Sequence, residues 1–243
     1  MKYLMSWYLS RSAVLTKMAP PHFVVRLPGG TRACIRPNGR DLGILTEIFD
    51  DGVYQSDKVP RRVLDLGANI GMATVFLASQ FPNAQFACVE PFPGNQAMLR
   101  ENIRLNNIKA EVFEGAIGTD SGEADLFLGM GEDVFSLTPV DPAGLQKLRV
   151  RQFSVPQVLD QLGWESIDLL KIDIEGYEKV LFHTKNDWLR RVKHIVGEAH
   201  GANGYGIKEV RSDLEPLGFE VIEKKFDAEY DVTIFEALNR SLA

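Results

Sequence analysis

From residue 60 onward, short apolar segments alternate with segments of helical periodicity, and this alternation constrains the fold most. The predicted strands cover 62–67, 85–90, 110–117, 167–174 and 194–200. The predicted helices cover 70–80, 95–106, 154–162, 178–190 and 207–217. Strands and helices that alternate at this spacing form βαβ units around a parallel sheet. Two last strands, 219–225 and 231–237, are joined by a short polar connection and should pair as an antiparallel hairpin. The sequence therefore predicts an α/β fold with a doubly wound, seven-stranded, mostly parallel sheet and a C-terminal antiparallel hairpin.

The first 59 residues differ from this pattern and are predicted to form a small N-terminal extension. Segments 23–27 and 33–36 flank a Pro-Gly-Gly turn and suggest a β-hairpin, and 41–49 suggests a helix. Residues 1–18 suggest a short amphipathic helix or cap. No stretch of flexible composition separates 1–59 from 60–243, so we expect the extension to pack on the main domain.

Within the main domain, residues 118–150 break the alternating rhythm. Segment 123–128 suggests one extra strand, and the glycines and prolines that follow it suggest a loop. Insertions of this kind beside an α/β sheet often carry part of a binding site. We therefore expect an inserted substrate region at 118–150, and Ser136 is predicted to help close the pocket.

Composition and charge exclude several classes of protein. The 27 basic and 33 acidic residues give a net charge of −6, which argues against a general nucleic-acid binder. The apolar fraction of 45% argues against disorder as the main state. Cys34 and Cys88 have no close spacing, so no disulfide framework is expected, and free cysteines fit a reducing compartment. Charged residues interrupt every apolar run near the length of a membrane span. We expect a cytoplasmic protein without a membrane partner.

The first motif that carries chemistry is the strand-turn-helix segment 65–71, DLGANIG. Its glycines, Gly67 and Gly71, allow backbone to approach a ligand closely, and the helix that follows offers free N–H groups to a carboxylate. Glu90, at the end of the next strand, is placed to accept hydrogen bonds from a ribose diol. The spacing is G-x-x-x-G rather than the G-x-G-x-x-G of dinucleotide sites. Asp65 also suits an ammonium group better than a phosphate, so the motif favours an amino-acid-like sulfonium ligand.

The second motif is the segment 169–176, LLKIDIEG, in the predicted fourth strand. Side chains alternate along a strand, so Lys171, Asp173 and Glu175 are predicted to share one face. Three charges in a central parallel strand are costly unless they pair with one another or face a ligand. Ligands in open α/β sheets bind beyond the carboxyl ends of the strands. Asp173 and Glu175 are therefore site candidates, and a structural network of Lys171 with the carboxylates remains an alternative.

The third motif ends the predicted fifth strand, where Glu198 and His200 share a face. A histidine titrates near neutrality, so His200 is a candidate general base for a hydroxyl group. The remaining histidines are scattered and neither cysteine has a partner at ligand spacing, so we expect no metal site. A magnesium ion held by Asp173 and Glu198 is the weaker alternative.

Together these segments resemble the FkbM-type methyltransferase family. The resemblance covers roughly residues 60–200 and is carried by 63–71 (VLDLGANIG), 89–91 (VEP), 99–106, 115–118 (GAIG) and 169–178 (LLKIDIEGYE). It implies the Rossmann-like class I methyltransferase fold, S-adenosylmethionine as methyl donor and a hydroxyl oxygen as acceptor. It also implies donor contacts from the turn (Gly67, Ala68, Asn69, Gly71), from Glu90 and Pro91, and from Ala116 and Ile117 beside the adenine. Asp173 and Glu175 would lie by the donor or the acceptor.

The leading hypothesis is an S-adenosylmethionine-dependent O-methyltransferase that acts on a sugar, a glycan or another natural product. Asp65 and the glycine turn would hold the methionine end of the donor, and Asp173, Glu175 or His200 would orient and deprotonate the acceptor. Glu198 is predicted on the acceptor side, and a homodimer is a candidate assembly. Two alternatives stay open: a nicotinamide-dependent oxidoreductase and a non-catalytic module that binds S-adenosylmethionine.

Overall fold

The structure is a computed structural model that describes residues 22–128, 135–137 and 145–242. The helix or cap predicted for residues 1–18 lies outside the described residues. The strands are β1 (Phe23–Arg26), β2 (Arg32–Ile35), β3 (Arg62–Leu66), β4 (Gln85–Glu90), β5 (Ala110–Glu114), β6 (Ala116–Gly118), β7 (Gly122–Leu128), β8 (Phe135–Ser136), β9 (Gln146–Ser154), β10 (Leu169–Ile172), β11 (His194–His200), β12 (Phe219–Asp227) and β13 (Val232–Asn239). The α-helices are α1 (Gly39–Thr46), α2 (Met72–Gln80), α3 (Pro93–Leu105), α4 (Val155–Leu162), α5 (Glu178–His183) and α6 (Ile207–Leu214).

Seven of these strands form one sheet in the order β12-β13-β11-β10-β3-β4-β5. Strands β3, β4, β5, β10 and β11 run parallel, and β13 pairs antiparallel with both β11 and β12. The strand order reverses between β10 and β3, because the chain builds outward from β3 to β5 and then returns to β10. In open α/β sheets, ligands bind at such a switch point, beyond the carboxyl ends of the strands. The predicted α/β fold with a seven-stranded sheet is confirmed.

The central strands are apolar on both faces because helices cover both sides of the sheet. Leu64, Leu66, Leu170 and Ile172 pack with α4, α5 and α6 on one face. Val63, Leu169 and Val196 point the other way and pack with α2, α3 and the extension. This double burial is the usual reason for near-continuous apolar runs in parallel strands, and it leaves the polar strand ends as the place for chemistry.

The N-terminal extension is fastened to the main domain through a buried side chain of α3. The amide of Asn102 accepts a hydrogen bond from Cys34 N at 2.6 Å and donates one to Cys34 O at 2.9 Å. Cys34 belongs to β2, which pairs with β1 as an antiparallel hairpin. Helix α1 follows, and its last turn widens into a π-helical turn at Glu47–Asp51. The division at residue 59 stays a prediction, but these contacts bring the extension to the edge of the sheet where strands β3 and β10 end.

The inserted region differs from the loop that its composition suggests. Strands β6, β9, β7 and β8 form a second sheet in that order, and β9 was not predicted. The strand is difficult to recognise in the sequence because it is rich in charged residues. In the structure, Arg149 of β9 pairs with Asp125 at 3.1 Å and with Glu123 at 3.3 Å on the neighbouring strand β7. Cross-strand ion pairs replace the apolar alternation that a sequence pattern would reveal. The sheet packs around a small apolar cluster that includes Ala116, Leu126 and Val150.

Several predicted elements are too long, and two of them lie next to the site. The strand predicted at 167–174 ends at Ile172, because Glu175 and Gly176 take left-handed backbone angles of φ 56° and 92°. The helix predicted at 178–190 ends at His183 and is followed by a separate 3₁₀ turn at Asp187–Arg191. Glu175 therefore lies in a loop beyond the strand and not in a continuous row with Lys171. Among the described residues, no helix has the length and apolar character needed to cross a membrane.

Candidate functional site

The turn after β3 packs directly against the backbone that leaves β10. Gly67 has φ 75°, and a Cβ built on it would lie 1.8 Å from the carbonyl oxygen of Asp173. Only glycine fits at such a position. Gly71 (φ 89°) caps the N-terminus of α2, where a Cβ would meet Leu99. The two glycines thus serve close packing against protein atoms at the switch point, and the close approach to a ligand that the motif suggested stays a prediction.

The carboxylate of Glu90 closes the end of β4 and is almost completely buried. Its Oε2 accepts a hydrogen bond from Asn69 N at 2.8 Å, and its Oε1 accepts one from Phe92 N at 2.9 Å. Burial raises the pKa of Glu90 to about 7, although these backbone hydrogen bonds favour the charged form. A carboxylate offers about four acceptor positions, so Glu90 can still accept hydrogen bonds from a ligand.

A cavity of about 630 Å³, here called the first cavity, opens beside Glu90. Its lining includes seven residues predicted to hold the donor: Gly67, Asn69, Glu90, Pro91, Ala116, Ile117 and Asp173. The inserted region adds apolar walls through Leu126 and Leu137. A buried oxygen, Asn69 Oδ1, has no hydrogen-bond partner among the described residues. An acidic end, an apolar wall and an unpaired amide oxygen fit a nucleoside with polar substituents.

A second cavity of about 700 Å³ adjoins the first and shares Gly67, Asn69, Asp173 and Glu175 with it. The extension supplies one wall through Arg40, Ile44, Glu47, Ile48, Val53 and Tyr54. The opposite wall includes Lys171 and Glu198. Burial, followed by the charge of Asp173, raises the pKa of Glu175 to about 7. The second cavity is therefore polar and acidic, in contrast to the apolar side of the first.

Glu198 is held in the wall of the second cavity by Tyr54, whose hydroxyl donates a hydrogen bond to Glu198 Oε1. Burial and the nearby charge of Asp173 raise the pKa of Glu198 to about 8. Burial and the Glu198 charge also raise the pKa of the Tyr54 hydroxyl well above its usual value. Tyr54 thus stays a neutral donor that fixes the position of the carboxylate.

Beneath the two cavities, Lys171 forms a buried ion pair with Asp65. Lys171 Nζ lies 3.3 Å from Asp65 Oδ1 and donates a hydrogen bond to Gly67 O at 2.8 Å. The other oxygen of Asp65 accepts a hydrogen bond from Thr74 Oγ1. Burial alone lowers the pKa of Lys171, but the carboxylates of Asp65 and Asp173 outweigh it and raise that pKa. The pair braces the glycine turn, which corresponds to the structural network that the sequence left open for Lys171.

His200 is surrounded by carboxylates instead of facing a cavity. Its Nε2 lies 3.7 Å from Asp173 Oδ1 and 3.9 Å from Glu175 Oε2, and its Nδ1 lies 3.5 Å from Glu178 Oε1. Burial lowers the pKa of His200, but these three acids together raise it to about 10. A protonated imidazole is a poor proton acceptor, so the geometry weakens the prediction that His200 is the general base.

Comparison with known families decides between the alternatives. The sequence pattern of the methyltransferase FkbM domain matches residues 65–225. The chain belongs to the FkbM methyltransferase family. The match begins at Asp65, spans the glycine turn and Glu90, and ends in β12. As a member of this family, the protein is an S-adenosylmethionine-dependent methyltransferase.

Individual relatives support the same assignment. The 31-O-demethyl-FK506 methyltransferase FkbM of Streptomyces tacrolimicus is 27% identical over 236 residues, which cover 83% of this chain and 90% of that protein. Methyltransferase sdnD of Sordaria araneosa is 26% identical over 212 residues, covering 73% of this chain and 82% of its own. The crystal structure of methyltransferase FkbM from Methylobacillus flagellatus superposes with a TM-score of 0.51 at 14% identity. That alignment covers 80% of this chain and 47% of the other, and it supports the fold.

Within this FkbM-family site, the predicted residues occupy different places. Ala68 lines the second cavity, whereas Asp65 and Gly71 line neither cavity. Asp65 pairs with Lys171, and Gly71 caps the N-terminus of α2. Ser136, in β8, pairs through its backbone with Phe127 of β7, and its side chain lies outside the described part of the structure. The roles of all these residues in binding or catalysis stay predictions.

The sequence analysis assigned no site role to several residues that the structure brings to this site. Tyr54, Arg40 and Glu47 come from the extension, more than 100 residues from Lys171 and Glu198 on the opposite wall of the second cavity. Glu178 stands in the family-like segment 169–178 but lies on a helix, and its carboxylate turns back to accept a hydrogen bond from Ile174 N at 2.7 Å. The run of charged residues in 171–178 could have identified Glu178 as a site candidate. No local sequence pattern identifies the residues of the extension.

Proposed function

We propose that this FkbM-family protein transfers a methyl group from S-adenosylmethionine to a hydroxyl oxygen of a sugar, glycan or other natural product. The observation that carries the proposal is the junction of two unlike cavities at Gly67, Asn69, Asp173 and Glu175. One cavity has the features of a nucleoside site, and the other has the acidic and hydroxyl groups that suit a polyhydroxylated acceptor. The printed name of the Streptomyces relative also describes methylation of an oxygen on a natural product.

In the first cavity, Glu90 would bind the ribose hydroxyls, and Ala116, Ile117 and Leu126 would cover the adenine. Asn69 Oδ1 would accept a hydrogen bond from a donor group of the ligand, which satisfies a buried oxygen that otherwise costs about 1–3 kcal/mol. When bound, S-adenosylmethionine supplies a methyl group on a positively charged sulfur. The chain's own residues would hold this group near Gly67, Asn69, Asp173 and Glu175, where the two cavities meet.

In the second cavity, Asp173 is well placed to accept the proton that an acceptor hydroxyl loses, and Glu198 can accept it once Glu198 is deprotonated, because its pKa is raised to about 8. Tyr54 fixes Glu198, and Lys171 lies 3.8 Å from Asp173 Oδ2, so both carboxylates have defined positions. Positioning of the acceptor oxygen supplies most of the acceleration in such a transfer, and the proton acceptor adds less. Glu198 therefore moves from the substrate-binding role predicted by sequence to a proton-accepting role.

The first test is calorimetry with S-adenosylmethionine, S-adenosylhomocysteine and NADH. We expect saturable binding of both sulfur ligands and none of NADH. A Glu90→Gln variant should bind S-adenosylmethionine about 10–100-fold more weakly, because it loses hydrogen bonds to a charged group. The matched control is Glu114→Gln: Glu114 is the registered neighbour of Glu90 on β5, but its side chain is exposed and pairs with Arg100.

The second test is release of S-adenosylhomocysteine in the presence of sugars, glycosides and hydroxylated polyketides. Turnover with at least one hydroxylated acceptor, and its loss in Glu198→Gln with unchanged donor affinity, is the expected result. Binding of NADH instead of the sulfur ligands would overturn the proposal. Donor binding with turnover only on amine or carbon acceptors would overturn the oxygen as acceptor and keep the methyltransferase.

A further inference from the structure

Three acidic or basic side chains from separate elements converge behind Asp173, the one of the three that lines the cavities. Asp173 follows β10, Glu178 begins α5 and His200 ends β11, and one potential ligand atom from each lies within 4.8 Å of the others. From these residues we infer that Asp173, Glu178 and His200 form a binding site for a divalent transition-metal ion.

The spacing of the three groups is the first argument. A single ion can bind only one nitrogen of His200, and one such nitrogen lies within 4.8 Å of one oxygen each of Asp173 and Glu178. The nearest oxygen of Asp173 lies 3.7 Å from His200 Nε2, and that of Glu178 lies 3.5 Å from His200 Nδ1. These separations are longer than ordinary hydrogen bonds of 2.7–3.2 Å. Nitrogen and oxygen ligands about 2.1 Å from one ion stand roughly 3.0–3.4 Å apart when adjacent and about 4.2 Å apart when opposite. Small side-chain rotations would bring the three groups to these separations.

Unsatisfied buried atoms give the second, independent argument. Glu178 has a fully buried side chain, and its Oε2 has no hydrogen-bond partner among the described residues. His200 is about nine-tenths buried, and its Nδ1 also lacks a hydrogen-bond partner among them. Leaving such atoms unpaired costs about 1–3 kcal/mol each. A cation between Glu178 and His200 would remove both costs.

Charge supplies the third argument. Within the described part of the chain, the cation within 4 Å of Glu178 is His200, which Glu178 shares with Asp173 and Glu175. Lys171 also lies 3.8 Å from Asp173 and Arg40 acts on Glu175, but Lys171 is shared with the buried carboxylate of Asp65. The acidic groups therefore still outnumber the basic ones in a poorly solvated place. A divalent ion balances that excess better than a single proton on His200 does.

The donor set selects the class of metal. One imidazole with two carboxylates is a mixed nitrogen and oxygen set, which suits Mn²⁺, Fe²⁺ or Zn²⁺ better than Mg²⁺ or Ca²⁺. Asp173 is 28% exposed and lines both cavities, so an ion can reach the site from the second cavity. The metal site is inferred independently of the proposed function. A role for the ion in binding an acceptor oxygen, in contrast, rests on the proposed function.

The test titrates Mn²⁺ into the 243-residue protein after EDTA treatment and desalting. Bound ion is measured by calorimetry and room-temperature electron paramagnetic resonance. We expect one saturable equivalent. His200→Ala and Glu178→Gln should each bind about tenfold more weakly or worse. His183→Ala is the matched control, because His183 lies 3.3 Å from Asp213 but is 77% exposed and outside the cluster. It should bind Mn²⁺ as the wild type does.

A measurement on the Mn²⁺-loaded wild-type and His183→Ala proteins covers the case in which the other variants do not fold. Pulsed electron paramagnetic resonance should show coupling of Mn²⁺ to an imidazole nitrogen in both. No saturable Mn²⁺ binding, full binding in His200→Ala, or absence of nitrogen coupling would overturn the site. Calorimetry with S-adenosylmethionine on the EDTA-treated protein tests the methyltransferase proposal separately, so the two failures are distinguishable.

Discussion

The hydroxyl of Tyr54 donates a hydrogen bond to the carboxylate of Glu198, and the Tyr54 ring lies 5.4 Å from Lys171 Nζ. One side chain of the N-terminal extension thus contacts the polar ends of both β10 and β11. The ammonium of Lys171 is attracted to the ring face, and the hydrogen bond fixes a carboxylate in the second cavity. The extension is therefore part of the candidate site and not only a cover for the sheet.

Replacing Tyr54 by phenylalanine should destabilise the protein without weakening donor binding. The variant keeps the ring over Lys171 but removes the hydrogen bond to Glu198. That bond is worth about 0.5–1.5 kcal/mol while Glu198 is protonated, and about 1.5–3 kcal/mol above its pKa of about 8, where it is charged. Urea unfolding measures the loss, and calorimetry measures the affinity for S-adenosylmethionine. The control is Tyr230→Phe, whose ring is 65% exposed. Equal stability of Tyr54→Phe and wild type would show that this hydrogen bond contributes nothing.

The raised pKa of Glu90 predicts how stability depends on pH in the ligand-free protein. Burial moves this pKa from 4.5 to about 7, so between these values the folded state holds a proton that the unfolded state has lost. Stability conferred by that proton is present below about pH 4.5 and is lost as the pH rises to 7. The pH dependence of the free energy of unfolding should therefore be smaller in Glu90→Gln, by about 1–3 kcal/mol across this interval. Denaturant titrations from pH 5 to pH 8 compare the two slopes, and parallel slopes contradict the assignment.

A side chain at Gly67 should disrupt the site and the fold together. In Gly67→Ala, the new Cβ would lie 1.8 Å from Asp173 O and the residue would keep a left-handed backbone, so we expect a loss of several kcal/mol. Gly163→Ala separates the two effects, because Gly163 has φ 66° but nothing within 4 Å of a Cβ. That control should lose only about 1 kcal/mol. Urea unfolding distinguishes the two variants, and similar losses would remove the argument from close packing.

The buried pair of Lys171 and Asp65 should show the penalty of an unpaired buried charge. Lys171→Met leaves Asp65 without its counter-ion, and breaking a buried pair in this way costs about 3–5 kcal/mol. The double variant with Asp65→Asn should recover part of the loss, because the isolated charge is removed. Lys185→Met breaks an exposed pair with Asp120 and should leave stability almost unchanged. Additive losses in the double variant, measured by thermal or urea unfolding, would contradict the pairing.

Local periodicity was sufficient to predict the sheet and the residues at its carboxyl edge. Leu64, Leu66 and Ile172 belong to strands that are buried on both faces, and glycine and acidic residues follow directly where those strands end. The first cavity is built mainly from these strand ends. Gly67 and Glu90 were therefore recognisable from spacing alone, because their environment follows from parallel strand geometry.

What the sequence did not predict depends on contacts between distant segments. Strand β9 is stabilised by Arg149 with Glu123 and Asp125, and such charges have no apolar period to detect. Tyr54 and Glu198 form a hydrogen bond although 144 residues separate them in the sequence, and no local sequence pattern near either residue predicts this contact. From the sequence, His200 is predicted to be a general base. The fold places three acidic residues around it, Asp173, Glu175 and Glu178, and the sequence analysis did not predict that arrangement.

The two cavities draw on different stretches of chain, and this has an evolutionary consequence. Residues after position 60 line the first cavity, whereas Arg40, Glu47 and Tyr54 of the extension line one wall of the second. If the first cavity binds the donor and the second the acceptor, as proposed, exchange of the first 60 residues between related enzymes would alter acceptor preference and leave donor recognition unchanged. Such chimeras offer a route by which one catalytic core diversifies across many products.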